Sequence, residues 1–327
     1  MAFSLQILAH DELDPDQWDA FIRQSPQGSL YALHGYLSSV KAEWRAYVIH
    51  KKGVWCAVMP FCLNHRWQFR SLPQPLYTQY WGVCFAPMAD LVQREQLRRK
   101  GHCLKLLVDA WQDIHLVVQN FSPHFDYPLP FHWGGYELQN RYTYWLDLAP
   151  EESTLLQGIE PSLRRQIKKF HRNQGRIQPG KLSQLMDLIK VNQEAGHDVL
   201  GGKDPDFATL ERINSFLDAQ NLGACWVAED ASGSVLAAAC FARYQQQGLY
   251  LLGAQHPAHK SSGAMTALLW EGICQTRAAG GRYFDFEGSM LPGVEPFFRK
   301  FGAYPVPYLQ IRKNHLPRIV KWLQSFT

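Results

Sequence analysis

The chain has no uninterrupted, charge-free apolar stretch of the about 18 residues needed to cross a bilayer, so no segment reads as a membrane-spanning helix. Its start, MAFSLQILAHDELD, lacks a basic n-region, and its apolar run is too short for a signal peptide. Cysteine is sparse. Seven are scattered through mostly apolar runs, Cys225 and Cys240 among them, and none forms a CxxC pair. An odd, dispersed set of thiols fits a reducing compartment better than a disulfide framework, so a cytoplasmic protein with Cys225 and Cys240 as plain core residues is expected. Thirteen histidines show no metal-ligand spacing: His256 and His259 stand three apart, but with a proline between them. No metal is expected. A strong charge of one sign is also missing. The 33 Lys and Arg against 29 Asp and Glu leave +4, too mild to announce nucleic-acid binding by charge alone.

What is present is a folded chain. Apolar residues make up 46% and charged residues 19% of 327, enough for one large domain or two ordinary ones. Segment 4–8 reads as a strand, and 14–25 as a helix capped by Asp14 with Pro15 at its first position. A shorter helix at 31–40 precedes an apolar hairpin, 44–69, turning at Lys51, Lys52 and Gly53. Irregular strand and loop at 70–87 lead to a helix at 91–115, with Leu104, Leu107, Trp111 and Ile114 on one face. Strands follow at 116–123 and 142–148. Composition shifts at 149–152. Beyond it, 152–174 reads as one basic helix broken by RIQPG, and 181–196 and 205–221 as two amphipathic helices. Three strands come next, 224–230, 234–245 and 248–255, then a long amphipathic helix at 259–279. Strands at 282–288 and 307–313 and a helix at 316–326 complete the chain. No residue-level repeat is visible. The two halves nonetheless share an order of helices, antiparallel meander, helix and strand, as two copies of one α/β fold with a mixed sheet would.

Three stretches carry chemistry in their residue types. In FDFEG, Asp285 and Glu287 alternate with phenylalanines. A carboxylate beside an apolar crevice acquires a raised pKa and can accept a proton from an attacking ammonium; alternatively Asp285 pairs with an Arg such as Arg282 or caps a neighbouring turn. The helix start Lys260-Ser261-Ser262-Gly263-Ala264 presents free N–H groups that attract phosphate, or is simply capped by Ser261 or Ser262. Arg164, Lys168 and Arg172 recur every four residues, with Arg165 and Lys169 beside them and Leu163, Ile167 and Phe170 opposite. This cationic face suits an anionic ligand such as a phosphate, a nucleotide sugar, a tRNA acceptor end or a membrane surface; the alternative is a solvated face.

The stretches 159–177, 250–273 and 284–303 together make the chain resemble the GNAT acyltransferases. More closely, it resembles the tandem-GNAT group that holds the FemABX peptidyltransferases and BioF2-like acetyltransferases. The resemblance implies two GNAT-like domains, 1–150 and a donor-binding 151–313, with a C-terminal helix, 314–327, returning to the first. It implies N-acyl transfer from acyl-CoA to a small-molecule or peptide amine, with no tightly bound cofactor. Fem-type transfer from aminoacyl-tRNA and a catalytically inactive binding module are the alternatives. The family's phosphate loop has the form [RQ]xxGx[GA]; here Lys260 stands first and Met265 last. By the same resemblance, Leu251, Leu252, Gly253 and Ala254 pair with the donor's pantetheine arm and polarise its carbonyl, or form a buried strand with a glycine kink. Arg299 or Lys300 stabilises charge at the reacting centre, or faces water from an amphipathic turn. Tyr77, Tyr80 and Trp81 line the acceptor side, or pack the core, and Arg164, Arg165 and Lys168 contact an anionic substrate.

Overall fold

The computed structural model describes residues 3–317 apart from 42, 199–201, 289 and 291. Contacts divide the chain into two compact units. One holds the residues up to Arg141 together with those from Pro307 onward, and the other holds Tyr142–Val306. The strand read at 142–148 therefore belongs to the second unit, although the composition shift lies after it.

The first unit begins with β1 (Ser4–Ala9), α1 (Pro15–Gln24) and α2 (His34–Val40). Asp14 caps α1, its Oδ1 accepting from the Asp16 amide at 2.9 Å, with Pro15 supplying a preset φ. The long hairpin of β2 (Arg45–Lys51) and β3 (Val54–Phe61) follows, with Lys52 and Gly53 both at positive φ in a turn that matches strand twist. Then come β4 (Asn64–Arg66), β5 (Phe69–Leu72), β6 (Cys84–Phe85), α3 (Gln93–Ala110), β7 (Leu116–Asn120) and α4 (Leu129–Trp133). Strands β1, β2, β3 and β6 form an antiparallel sheet, while β5 lies parallel to β7. Leu104, Leu107 and Trp111 are wholly buried against Phe121 and Phe131, as their helical spacing requires.

The second unit runs β8 (Glu137–Asp147), α5 (Glu152–Gly158), α6 (Pro161–Arg172), β9 (Arg176–Pro179), α7 (Leu182–Glu194) and α8 (Phe207–Ala219). It continues with β10 (Gly223–Glu229), β11 (Val235–Tyr244), β12 (Gln247–Gln255), α9 (Ala264–Ala278), β13 (Tyr283–Asp285) and α10 (Glu295–Arg299). β8 starts in the first unit and enters the second at Tyr142. β14 (Tyr304–Asn314) leaves the second unit and, from Gln310, pairs antiparallel with β7 of the first. Residue 314 thus ends a strand, and the expected C-terminal helix lies outside the described residues from 318 onward.

Within the second unit the strand order is β8-β13-β12-β11-β10-β9, with β12 and β13 parallel and the other pairs antiparallel. Both faces are covered. Ala237 and Ala239 of β11 join the cluster under α6 and α9, and Ala238 and Cys240 join the cluster under α7. An uninterrupted apolar run is what a strand buried on both faces looks like.

Four readings are corrected. The basic segment 152–174 is two helices, because Pro161 lacks an amide hydrogen and can only begin one. The RIQPG break contains a strand, β9, paired with β10. The helix read at 259–279 begins at Ala264, and its first seven residues are all buried, so its N-terminal half has no polar face. It sits between the sheet and α6, where both sides need apolar groups. Finally, Cys225 and Cys240 are not plain core thiols. They lie opposite each other across β10 and β11 and form a disulfide, with Cα atoms 4.0 Å apart. Linear spacing does not reveal that a hairpin will bring two cysteines into register. Cys56, Cys62, Cys84, Cys103 and Cys274 are free.

Candidate functional site

The site is built where β12 and β13 part. The two strands pair at Gln247↔Tyr283, Gly248↔Phe284 and Leu249↔Asp285, and then β13 ends while β12 continues to Gln255. A bulge interrupts β12 in the same region: Phe241 faces Tyr250 and Cys240 faces Leu252, leaving Leu251 as the extra residue. The expected break in regularity therefore falls at Leu251, while Gly253 serves a different purpose. A side chain there would collide with the Tyr250 hydroxyl and ring, so the glycine makes room for the tyrosine. Burial pushes the Tyr250 phenol above its ordinary range. Leu252 packs against the cluster beneath α7, and Ala254 is buried within it.

The strand β13 carries Asp285 to its last position. The carboxylate is fully buried and accepts from Thr143 Oγ1, from Gln247 Nε2 at 3.1 Å and from the Glu287 amide at 2.8 Å. Glu287 follows, beyond the strand rather than within it. Its φ is 53°, a left-handed conformation that costs a non-glycine residue about 1 kcal/mol or more. Its Oε1 is buried and has no hydrogen-bond partner among the described residues. The residue keeps some exposed surface, but that oxygen does not. Desolvation by burial consequently holds the Glu287 carboxyl well above the usual carboxylate range. A strained backbone and an orphaned buried carboxyl oxygen on one residue are the strongest local sign of function in this unit.

Aromatic rings pack around the neighbouring Phe286. Phe286 lies 5.2 Å from Phe298 and 5.4 Å from Phe301, and Tyr250 lies 6.1 Å from Phe298. The basic residues of the same segment point elsewhere. Arg299 pairs with Glu295 at 3.1 Å, and Glu295 also accepts from the Tyr144 hydroxyl at 2.6 Å. Burial, reinforced by Glu295, pushes the Tyr144 phenol up to about 12. Lys300 lies 3.6 Å from Glu160, and its carbonyl accepts from the Glu160 amide, so it is tied to the start of α6. Neither cation is brought to Glu287 by any of these contacts.

At the start of α9 the N-cap is Gly263 rather than Ser261 or Ser262, and it makes no side-chain cap hydrogen bond; Ser262 Oγ accepts from the Ala264 amide at 3.2 Å. Gly263 has φ 83° and abuts the Gln166 carbonyl of α6, so no other residue fits there without strain. Lys260 Nζ is 2.7 Å from His197 Nε2, and the Ser261 carbonyl accepts from Lys169 Nζ at 2.8 Å. The first-turn amides of α9 have no intrahelical partner, as at any helix start.

In the first unit, Trp81 and Tyr80 are core residues. Trp81 Nε1 donates to Gln119 Oε1 at 2.6 Å, and Tyr80 packs edge-on against Tyr31. Tyr77 sits at φ 58° and its carbonyl accepts from the Tyr36 hydroxyl. Between them, Gln79 has both side-chain amide atoms buried without a partner among the described residues. Sequence reasoning passed over Gln79, as it did Thr143, Gln247 and Tyr144. A lone glutamine or threonine has no spacing signature, and only its surroundings distinguish it.

Residues 161–299 match the family model of the acetyltransferase (GNAT) domain. The whole fold is similar to three solved structures. FemX has a TM-score of 0.67 at 12% identity, covering 98% of this chain and 99% of that one. A tandem GNAT protein from the clavulanic acid biosynthesis pathway has a TM-score of 0.54 at 11% identity, covering 96% and 99%. L-PGS from Bacillus licheniformis has a TM-score of 0.54 at 15% identity, covering 95% of each. No curated protein matches by sequence. The fold is therefore a mixed α/β one of tandem GNAT-like domains, resembling FemX, and the chain is an acyltransferase. GNAT domains use acyl-CoA as co-substrate. Among the described residues no helix is long and apolar enough to cross a membrane.

Proposed function

We propose that this enzyme transfers an acyl group from acyl-CoA, acetyl-CoA in the simplest case, to the nitrogen of a small-molecule or peptide amine. The observation that carries the reading is Glu287, with its strained backbone and its buried Oε1, unpartnered among the described residues. The raised pKa suits a base that takes a proton from an ammonium and leaves a free amine to attack. The amine nitrogen bonds to the acyl carbon, the thioester C–S bond breaks, and the coenzyme leaves as thiolate to be protonated. Asp285 is a positioning residue in this reading, since it holds the Glu287 amide. The unpaired edge of β12 from Tyr250 onward, with Leu252, Gly253 and Ala254, is the proposed donor track. Backbone N–H groups along it would polarise the acyl carbonyl. The loop Lys260–Ala264 would hold the donor's phosphates, with Lys260 and the α9 amides as the attracting groups. Cytoplasmic residence belongs to the same proposal, and the Cys225–Cys240 disulfide weighs against it.

One observation favours a second reading, aminoacyl transfer from tRNA. Among the described residues, none of the five cations Arg164, Arg165, Lys168, Lys169 and Arg172 is in an ion pair. Thermal shift with acetyl-CoA, longer acyl-CoAs and charged tRNA separates the two. Stabilisation by an acyl-CoA, with product formed from an amine panel, supports the first reading. Stabilisation by none of the acyl-CoAs at concentrations far above ordinary affinity would remove it.

A further inference from the structure

A cavity of about 700 Å³ opens between α5, α6 and the C-terminal half of α9. None of its lining residues belongs to the Glu287 site, the β12 track or the loop before α9. Its floor is apolar, with Ile167 and Trp270 beneath and Cys274 one turn further along α9. One wall carries the cations Arg164 and Lys168 of α6, with His171 beside them. The opposite wall carries Glu271, whose carboxylate accepts from Gln275 Nε2 at 2.7 Å.

Two features show that this is more than a crease between helices. Arg164 Nε is buried and has no hydrogen-bond partner among the described residues, and Arg164 and Lys168 are in no ion pair there. Arg164 itself is half-buried, but an Nε–H kept from water without a partner is costly, and it is satisfied by an oxyanion that accepts two of the guanidinium's N–H groups at once. Trp270, only 9% exposed, presents a flat apolar surface in the same cavity. The tryptophan is recessed rather than protruding, and the groove's helices carry none of the chain's exposed large apolar residues. A ligand that enters fits this shape better than a membrane surface does, because a membrane is met by projecting apolar groups. A small ligand also accounts for the recessed Arg164, which a nucleic-acid backbone following the exposed cations Arg165, Lys168 and Arg172 would not reach for.

We propose that the α5–α6–α9 cavity binds a nucleotide-class organic phosphate, with the phosphate on Arg164 and Lys168 and the base on Trp270. His171 adds a further donor at the phosphate end. Glu271 and Gln275 accept from and donate to the ligand's hydroxyl and amino groups. The site is separate from the donor track, so this inference does not rest on the acyl-transfer reading.

The test is isothermal titration of the full chain with ADP, GDP and UDP, with inorganic pyrophosphate, tRNA and anionic phospholipid vesicles as controls. Saturable binding of at least one nucleoside diphosphate is expected. Arg164→Gln/Lys168→Gln should weaken it by about tenfold or more, and Trp270→Leu by a smaller factor. Folding of each variant is checked by its unfolding transition. In the wild-type chain, bound nucleotide should also slow alkylation of Cys274, read by peptide mapping against Cys56, which lies outside the cavity. Three results would overturn the proposal. The first is no nucleotide binding up to about 5 mM. The second is binding that the double variant leaves unchanged. The third is pyrophosphate, tRNA or vesicles binding in place of nucleotide with no contribution from Trp270.

Discussion

Thr143 on β8 donates its hydroxyl proton to Oδ1 of Asp285 on β13, and neither side chain has any exposed surface. The same Oδ1 accepts from the Glu287 amide, so one buried hydrogen bond reaches across two strands to the residue proposed as base. Thr143→Val keeps the shape and removes the donor. It is expected to cost about 1–3 kcal/mol of stability, because a buried carboxylate loses a partner. In the proposed reaction it should also lower kcat more than it raises KM, since it alters how Glu287 is held rather than what is bound. Thr143→Ser should restore most of both. Urea unfolding and steady-state kinetics measure the two effects. An unchanged stability in the valine variant would contradict the buried geometry.

The carboxyl of Glu287 governs two pH dependences with opposite signs. Its native pKa is raised by burial, so the folded chain keeps a proton that the unfolded chain loses from about pH 4.3 upward. The resulting stability is complete below that value and disappears as pH rises through the native pKa. Activity follows the other direction and rises through the same native pKa, because the base must be unprotonated. Glu287→Gln should flatten both profiles and reduce kcat by a factor of about 10²–10⁴. A variant that retains the wild-type acid limb would show that another group is the base.

Gly253 and Tyr250 form a steric pair. Gly253→Ala pushes a methyl into the Tyr250 hydroxyl and ring and is expected to destabilise the unit by about 1–3 kcal/mol. Tyr250→Phe in the same chain removes the hydroxyl and should recover part of that loss. A double-mutant cycle on thermal unfolding reads the coupling directly. Strict additivity would mean that the two residues do not touch.

The disulfide between Cys225 and Cys240 closes a hairpin with a sequence separation of 15. Reduction, or Cys225→Ser/Cys240→Ser, is expected to lower stability by about 3 kcal/mol through the freer unfolded chain. Denaturant unfolding with and without reductant measures it. Identical midpoints in the two conditions would show that the thiols are unpaired in solution.

Much of the second unit was legible beforehand. The segments 224–230, 234–245 and 248–255 read as strands, and β10, β11 and β12 lie there. The clearest error, one helix at 152–174, came from weighing the cationic periodicity above a single proline. Glu287 was picked out by its place beside a glycine after an apolar alternation. Its orphaned oxygen and positive φ were not readable, because both are properties of the atoms around it.

By itself, then, the amino-acid order determined the local elements, the cationic face of α6 and the FDFEG carboxylates. These depend on side-chain period and on backbone preferences that act over a few residues. The tertiary structure decided which of those features share a place. It set Cys225 opposite Cys240, tied Lys300 to Glu160, and directed Arg164 into a cavity with Trp270. It also decided that Oε1 of Glu287 would lose both water and, among the described residues, a partner. Desolvation and pairing are set by neighbours distant in the chain, and those neighbours exist only once the strands have paired and the helices have packed.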